Sequence, residues 1–225
     1  MNNIQQIRRE MVKVCQRLYD RNLVGGTEGN VSVRLKRREI LITPSGKCLG
    51  FLKPSEITVI SSEGKKLSGA LAPSSEYRMH VGIYSHRPDI NAICHAHPIY
   101  ATAFAVAGIA LNKKILPEIV NSVGIIPLVD YAAPGTMELF NKMRKTIANH
   151  DACLLKNHGL VTLGVNLEDA FNKLEMIERF AQVLHAVKTL GKPSLLSLKA
   201  LKELESMAKT QNQNIERKLR IKKRT

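Results

Sequence analysis

Apolar residues recur at helical spacing along the start of the chain. Ile4, Ile7, Met11, Val14, Cys15 and Leu18 fall on one face of a 3.6-residue repeat, which predicts an amphipathic helix ending near Asn22. The period then shortens to two. After the polar loop Gly25-Gly26-Thr27-Glu28-Gly29-Asn30, the segments Val31–Arg34 and Glu39–Thr43 read as strands, the second closed by a turn at Pro44-Ser45-Gly46. Further strands are expected near Ile57–Ile60 and Lys66–Ser68, and a helix from Glu76 to Ser85 with Ser74 or Ser75 as its cap.

The second half continues the alternation. Asp89–Cys94 predicts a strand, Pro98 ends it, and a small-residue helix follows from Ile99 to Ala107. A connection through Leu116-Pro117-Glu118 leads to a strand at Ile125–Val129 and a helix at Thr136–Ala148. Ala152–Leu155 and Leu160–Leu163 predict two strands around a tight turn at Asn157-His158-Gly159, with Gly159 supplying backbone freedom. A long helix, Leu167–Leu190, carries Ala170, Leu174, Ile177, Phe180, Ala181 and Leu184 on one face. Gly191-Lys192-Pro193 breaks it, and a last helix begins near Leu195. No repeat or linker divides the chain. The pattern is a central sheet with helices packed on its faces.

At 225 residues the chain suits one domain with a sizeable core. It has no membrane-length apolar run and no apolar stretch of a signal peptide near its first residues, so a cytoplasmic protein without a membrane partner is expected. Cys15, Cys48, Cys94 and Cys153 form no CxxC pair; Cys94 and Cys153 lie in apolar strand runs and are expected to be buried thiols. The formal charge is +15, much of it in the run Arg217–Arg224. Such runs can bind nucleic acid or anionic surfaces, but no aromatic residue interleaves this one and no nucleic-acid motif accompanies it. It reads as a solvated tail, and nucleic acid is not an expected partner. A positive surface also attracts a phosphorylated substrate.

The candidate chemistry lies in histidines. On a strand, residues two apart point to the same face, so His95 and His97 project together from the end of their strand. His158 stands at the tight turn, and Glu76 follows Ser74-Ser75. Three imidazoles and a carboxylate, if the fold gathers them, make a divalent-metal site with room for a substrate. One histidine at a strand end is ordinary; the pair shifts the balance towards metal. His80, His86, His150 and His185 are read as helix or helix-end residues without a direct role. Gly29-Asn30, Ser45-Gly46 and Ser74-Ser75 are candidate anion holders, the last at a helix N-terminus. Each is also an ordinary turn.

Five segments in order carry a resemblance: Gly26–Arg34, Thr43-Pro44-Ser45-Gly46, Pro73-Ser74-Ser75-Glu76, His95-Ala96-His97 and Asn157-His158-Gly159. Together they closely resemble the class II aldolase/adducin family, from about residue 5 to residue 190. The resemblance implies an α/β fold, a three-layer α/β/α sandwich with a largely antiparallel central sheet. Residues 1–190 would form the catalytic domain and 191–225 a C-terminal helix and basic tail. It implies a fourfold-symmetric homotetramer with sites between subunits. His95, His97 and His158 would hold Zn2+, with Glu76 as acid/base and a further metal contact. Gly29, Asn30, Ser45, Gly46, Ser74 and Ser75 would bind the substrate phosphate.

The implied reaction is aldol cleavage of a phosphorylated ketose, such as L-fuculose 1-phosphate, to dihydroxyacetone phosphate and an aldehyde such as lactaldehyde. Zinc would stabilise the enediolate as a Lewis acid and Glu76 would move its proton. Other members are 4-epimerases, dehydratases and decarboxylases, and adducin-like members are non-enzymatic. The epimerases have aspartate where this chain has Glu76, which favours the aldolase. One departure stands out: the family's aldolase has a tyrosine from a neighbouring subunit as aldehyde-side acid, and Lys114–Ile119, the corresponding stretch, has none. Tyr131 could line the pocket, but the acid role is not assigned to it.

The tail lies beyond the last of these motifs and carries no reactive group. Truncation after Gln211 is expected to leave turnover within about a few-fold, with a weaker affinity for anionic substrate that fades as salt is added. Loss of turnover at saturating substrate would show instead that the tail closes over a site.

Overall fold

The computed structural model describes residues 3–35 and 39–207; the basic run Arg217–Arg224 lies outside them. Among the described residues, eight strands form one sheet: β1 (Asn30–Arg34), β2 (Glu39–Ile42), β3 (Thr58–Ser61), β4 (Lys66–Ser68), β5 (Ala92–Ala96), β6 (Leu128–Val129), β7 (Ala152–Leu155) and β8 (Gly159–Gly164). Their order across the sheet is β4-β3-β2-β1-β5-β8-β7-β6. Each neighbouring pair runs antiparallel except β6 with β7, so the sheet is largely antiparallel as expected.

Helices cover both faces. One face carries α1 (Asn3–Asp20), α3 (Ile99–Val106), α4 (Pro117–Ser122) and α6 (Leu167–Leu190). The other carries α2 (Tyr77–His86) and α5 (Met137–Ile147). Strand alternation sorts the side chains between them. Val31, Ala92, Cys94, Ala96, Leu154 and Leu160 pack with Met11, Leu18, Phe171 and Phe180 on the first face. Ile93, Cys153, Leu155, Val161 and Leu163 pack with Met79, Ile83, Phe140 and Met143 on the second. Two cores on one sheet make the three layers. Burial pushes the Cys94 and Cys153 thiols up to about 12, so both are inert packing groups, as expected.

The opening helix and the helix Leu167–Leu190 follow the sequence pattern, the latter capped by Asn166, whose side chain accepts from the Asp169 N–H. Several boundaries differ. β5 runs to Ala96, so His95 belongs to the strand and His97 lies just beyond it. The connection after Leu116 contains α4, with Pro117 in its first turn, where a missing N–H costs nothing. The strand expected at Ile125–Val129 shrinks to Leu128–Val129, because Ile126 instead bridges Leu111. Two short 3-10 turns, Leu49–Phe51 and Pro54–Glu56, fill a stretch with no clear period. Helical structure resumes at residue 198, not Leu195. Among the described residues no helix is long and apolar enough to cross a membrane.

Candidate metal centre and its carboxylate

β5 and the β7–β8 hairpin bring the three histidines together. His95 lies opposite Asn30 on one side and Val161 on the other, and is wholly buried. His158 enters from the hairpin turn, its N–H donating to the Leu155 carbonyl at 3.0 Å. The turn differs in detail from the expectation. Its left-handed residue is Asn157, at φ 56°. Gly159 is required for a different reason: a Cβ there would stand 2.6 Å from the Ala96 carbonyl oxygen and 2.6 Å from the His97 ring. The turn thus presses directly on the other two histidines.

The ring nitrogens that face one another are all Nε2. His95 Nε2 is 3.2 Å from His158 Nε2 and 3.1 Å from His97 Nε2. The outward nitrogens explain why. His95 Nδ1–H donates to the Leu160 carbonyl at 3.0 Å, and His97 Nδ1–H donates to Glu28 Oε2 at 3.2 Å. A neutral ring that spends its proton on Nδ1 presents a bare lone pair at Nε2. Ligand atoms of His95, His97 and His158 all lie within 4.8 Å of one another, a set that can hold a metal ion. With the Leu160 carbonyl behind His95 and the Glu28 carboxylate behind His97, these two rings can present neutral imidazole donors of the kind a divalent ion takes.

Glu76 completes the group. Its Oε2 lies 3.1 Å from His95 Nε2 and its Oε1 3.6 Å from His158 Nε2. The Asn30 side-chain N–H donates to Oε2 at 2.8 Å, while Oε1 is buried with no hydrogen-bond partner. Burial pushes the Glu76 carboxyl up, but the charge and hydrogen bond of His95, the charge of His158 and the Asn30 amide outweigh it. Glu76 is therefore held well below the usual carboxylate range, as a bound cation would also hold it. Burial pushes His95 down, yet the Glu76 charge and hydrogen bond raise it above its ordinary value. Burial and the neighbouring His95 charge lower His97, and lower His158 to about 4.

The three candidate anion segments also meet here. The Thr43 N–H donates to the Val31 carbonyl, next to Asn30. Residues 43–45 and 72–74 then lie side by side: Ser74 N–H donates to Thr43, Ser45 N–H donates to Ala72, and Pro44 bridges Pro73. Gly29, next to Asn30, has φ 78°, and a Cβ there would fall 2.9 Å from the His95 carbonyl oxygen. Ser74 is buried, and Ser45, Gly46 and Ser75 are exposed. Neither serine caps a regular helix. Glu76 itself is the N-cap residue of α2, and Ser74 Oγ accepts the Glu76 N–H at 3.3 Å, closing a turn before the helix starts.

Two residues of the site escaped the sequence reading. Glu28 is held by the Gly25 N–H at 2.7 Å and orients His97. His80, read as an ordinary helix residue, is wholly buried between Asn30 and Ser32. The signal for it was present: Glu76, His80 and Tyr84 are spaced four apart, the first as N-cap of α2 and the other two on one face of it.

Two outcomes follow from these contacts. Glu28→Gln should weaken metal affinity by ~10- to 100-fold, read by competition with a chelator, because the amide orients the His97 ring less firmly. Unchanged affinity would remove Glu28 from the site. Burial lowers His80 from 6.5 to about 3, against a partial rise from the Glu76 charge. Between those values the unfolded chain binds a proton at this ring and the folded chain does not. Its contribution to stability is thus complete above about 6.5 and declines as pH falls towards about 3, by at most about 1.4 kcal/mol per pH unit. The stability difference between wild type and His80→Gln should therefore narrow from about pH 7 to about pH 4 in denaturant unfolding. A constant difference would mean that the buried ring is charged.

Comparison with known proteins agrees with this geometry. Residues 9–185 match the family described as Class II Aldolase and Adducin N-terminal domain. A protein of Methanococcus vannielii named L-fuculose phosphate aldolase is 41% identical over 187 residues, covering 82% of this chain and 98% of that protein. A 3-oxo-tetronate 4-phosphate decarboxylase of Escherichia coli K12 is 33% identical over 184 residues, covering 80% of this chain and 86% of that one. Among solved structures, an L-fuculose 1-phosphate aldolase superposes with a TM-score of 0.84 at 34% identity, covering 94% of this chain and 97% of its own. With its histidine cluster, its largely antiparallel sheet and a family match over most of its length, the chain belongs to the class II aldolase/adducin family.

Proposed function

We propose that the protein is a zinc-dependent aldolase that cleaves a phosphorylated ketose, L-fuculose 1-phosphate or a close analogue. The products would be dihydroxyacetone phosphate and an aldehyde such as lactaldehyde. The observation that carries this reading is the meeting of three imidazole Nε2 atoms beside a carboxylate with one unpartnered oxygen. Relatives named as L-fuculose phosphate aldolases, at 38–42% identity, support the substrate class.

His95, His97 and His158 would hold the zinc, and Glu76, beside His95 and His158, would be a further contact. When bound, zinc supplies Lewis acidity at the substrate's carbonyl and adjacent hydroxyl oxygens, offsetting the charge that develops as the carbon–carbon bond breaks. The Ser45, Ser74 and Ser75 hydroxyls, the Gly46 and Ser75 N–H groups, and the turn at Gly29-Asn30 receive the phosphate. That anchorage sets the distance from the phosphate to the reacting carbon. Cleavage frees the proton of the hydroxyl that becomes the aldehyde oxygen and leaves an electron pair on the carbon beside the carbonyl; the ionised Glu76 takes up that proton through Oε1 and passes it to that carbon. Asn30 holds Oε2, so the carboxylate cannot swing away from that carbon. The proposal includes a fourfold-symmetric homotetramer, supported by the large apolar side chains that Phe51, Ile99 and Val106 leave exposed.

Glu76→Gln should retain zinc and lose about 10²- to 10⁴-fold in turnover, since the amide keeps the shape but carries no proton. The function itself is tested by incubating the zinc-loaded protein with phosphorylated ketoses and measuring dihydroxyacetone phosphate. Release from L-fuculose 1-phosphate, abolished by chelator, is the expected result. Carbon dioxide release from 3-oxo-tetronate 4-phosphate, with no dihydroxyacetone phosphate from any ketose, would assign the chain to the decarboxylase chemistry instead.

A further inference from the structure

A line of buried polar groups runs beneath Glu76, and the mechanism above uses only its last member. Asn30, Ser32 and His80 are buried, and so is Tyr84. The Tyr84 hydroxyl lies 2.9 Å from Ser32 Oγ, which lies 2.6 Å from His80 Nδ1. His80 Nε2 lies 2.5 Å from Asn30 Oδ1, and Asn30 Nδ2 lies 2.8 Å from Glu76 Oε2. Two elements supply the line by their own periods. Asn30 and Ser32 are two apart on β1 and face the α2 side, while Val31 between them points into the opposite core. His80 and Tyr84 are four apart along α2, and Glu76, four before His80, is its N-cap residue.

The chemistry at one end fixes every proton in the line. An ionised Glu76 only accepts, so Asn30 must turn its NH2 towards Oε2 and its carbonyl oxygen towards His80. Asn30 Oδ1 also only accepts, so the proton of the ring lies on Nε2. Nδ1 of the neutral ring is then an acceptor. Ser32 must give it the hydroxyl proton and accept in turn from Tyr84. No other assignment satisfies all four contacts with a neutral His80.

We propose that His80 is a positioning residue for Glu76. As a neutral Nε2–H imidazole it locks the Asn30 amide in the orientation that donates to Oε2, which leaves Oε1 as the oxygen that carries the substrate proton. The inference rests on the reading of Glu76 as the acid/base. His80 touches neither substrate nor metal in this account. Its effect passes through Asn30, whose amide would otherwise be free to flip and turn an oxygen towards the carboxylate.

The conservative variants separate positioning from packing. A glutamine amide reaches the place of Nε2 and can donate to Asn30, whereas an asparagine amide reaches only the place of Nδ1. His80→Asn should lower the turnover number ~10- to 100-fold, with KM and zinc content close to wild type. The same fall should appear in the exchange of deuterium from solvent into dihydroxyacetone phosphate, which reads proton transfer without carbon–carbon cleavage. His80→Gln should recover most of both rates. A direct reading needs no variant: nitrogen NMR of 15N-histidine-labelled zinc-loaded protein should show His80 as the neutral Nε2–H tautomer. An Nδ1–H tautomer, wild-type exchange in His80→Asn, or equal loss in the two variants would each overturn the proposal. Full exchange in Glu76→Gln would instead overturn the reading on which it rests.

Discussion

The Nε2 atoms of His97 and His158 stand 3.1 and 3.2 Å from that of His95, where imidazole lone pairs repel one another unless a proton or a cation lies among them, and the architecture around the site works to keep them there. The Leu160 carbonyl and the Glu28 carboxylate take the outward protons of His95 and His97. Each contact removes the alternative tautomer, in which a ring would point an N–H inwards and relieve the repulsion. Gly159 lets the hairpin approach to the backbone of Ala96, which brings His158 into the cluster. Such prearrangement is how a protein favours a metal over an empty cluster: the cost of aligning the donors is met on folding, and binding releases it.

The same constraint explains the polarity of one face of the sheet. Next to the histidines, β1 presents Asn30 and Ser32 where a strand in a plain sandwich would present apolar side chains. Buried polar groups are costly singly and stable when every member is paired. The α2 face answers with His80 and Tyr84, so the polar column is closed from Tyr84 to Glu76. Glu76 Oε1 and His158 Nδ1 alone remain without partners among the described side chains of this cluster. Oε1 is the oxygen that the proposed chemistry needs free.

Much of this was readable from the chain. The 3.6-residue period marked the helices Asn3–Asp20 and Leu167–Leu190, because each buries one continuous apolar face. The His95-x-His97 pair followed from strand alternation, and ordered motifs brought His158 and Glu76 to the same place. What escaped depends on contacts between distant segments. Ile126 left the predicted strand because Leu111, far away in sequence, offered a bridge. Gly159 looked like a turn residue, and only the packed fold shows the Ala96 carbonyl against it while Asn157 takes the left-handed turn. His80 has the appearance of any helix histidine until Asn30 and Ser32 are placed over it. Glu28 sits in a loop whose composition signals flexibility, although its carboxylate is fixed at both oxygens.

The central claim is that the convergent Nε2 atoms of His95, His97 and His158 bind one divalent ion per chain. Titrating zinc into chelator-stripped protein, followed by calorimetry and metal analysis after gel filtration, tests it most directly. The account predicts one tightly held zinc per chain, a higher unfolding temperature on binding, and near-complete loss of both in His95→Ala/His97→Ala. Full zinc retention by that double variant, or no zinc uptake by the folded wild-type protein, would contradict it.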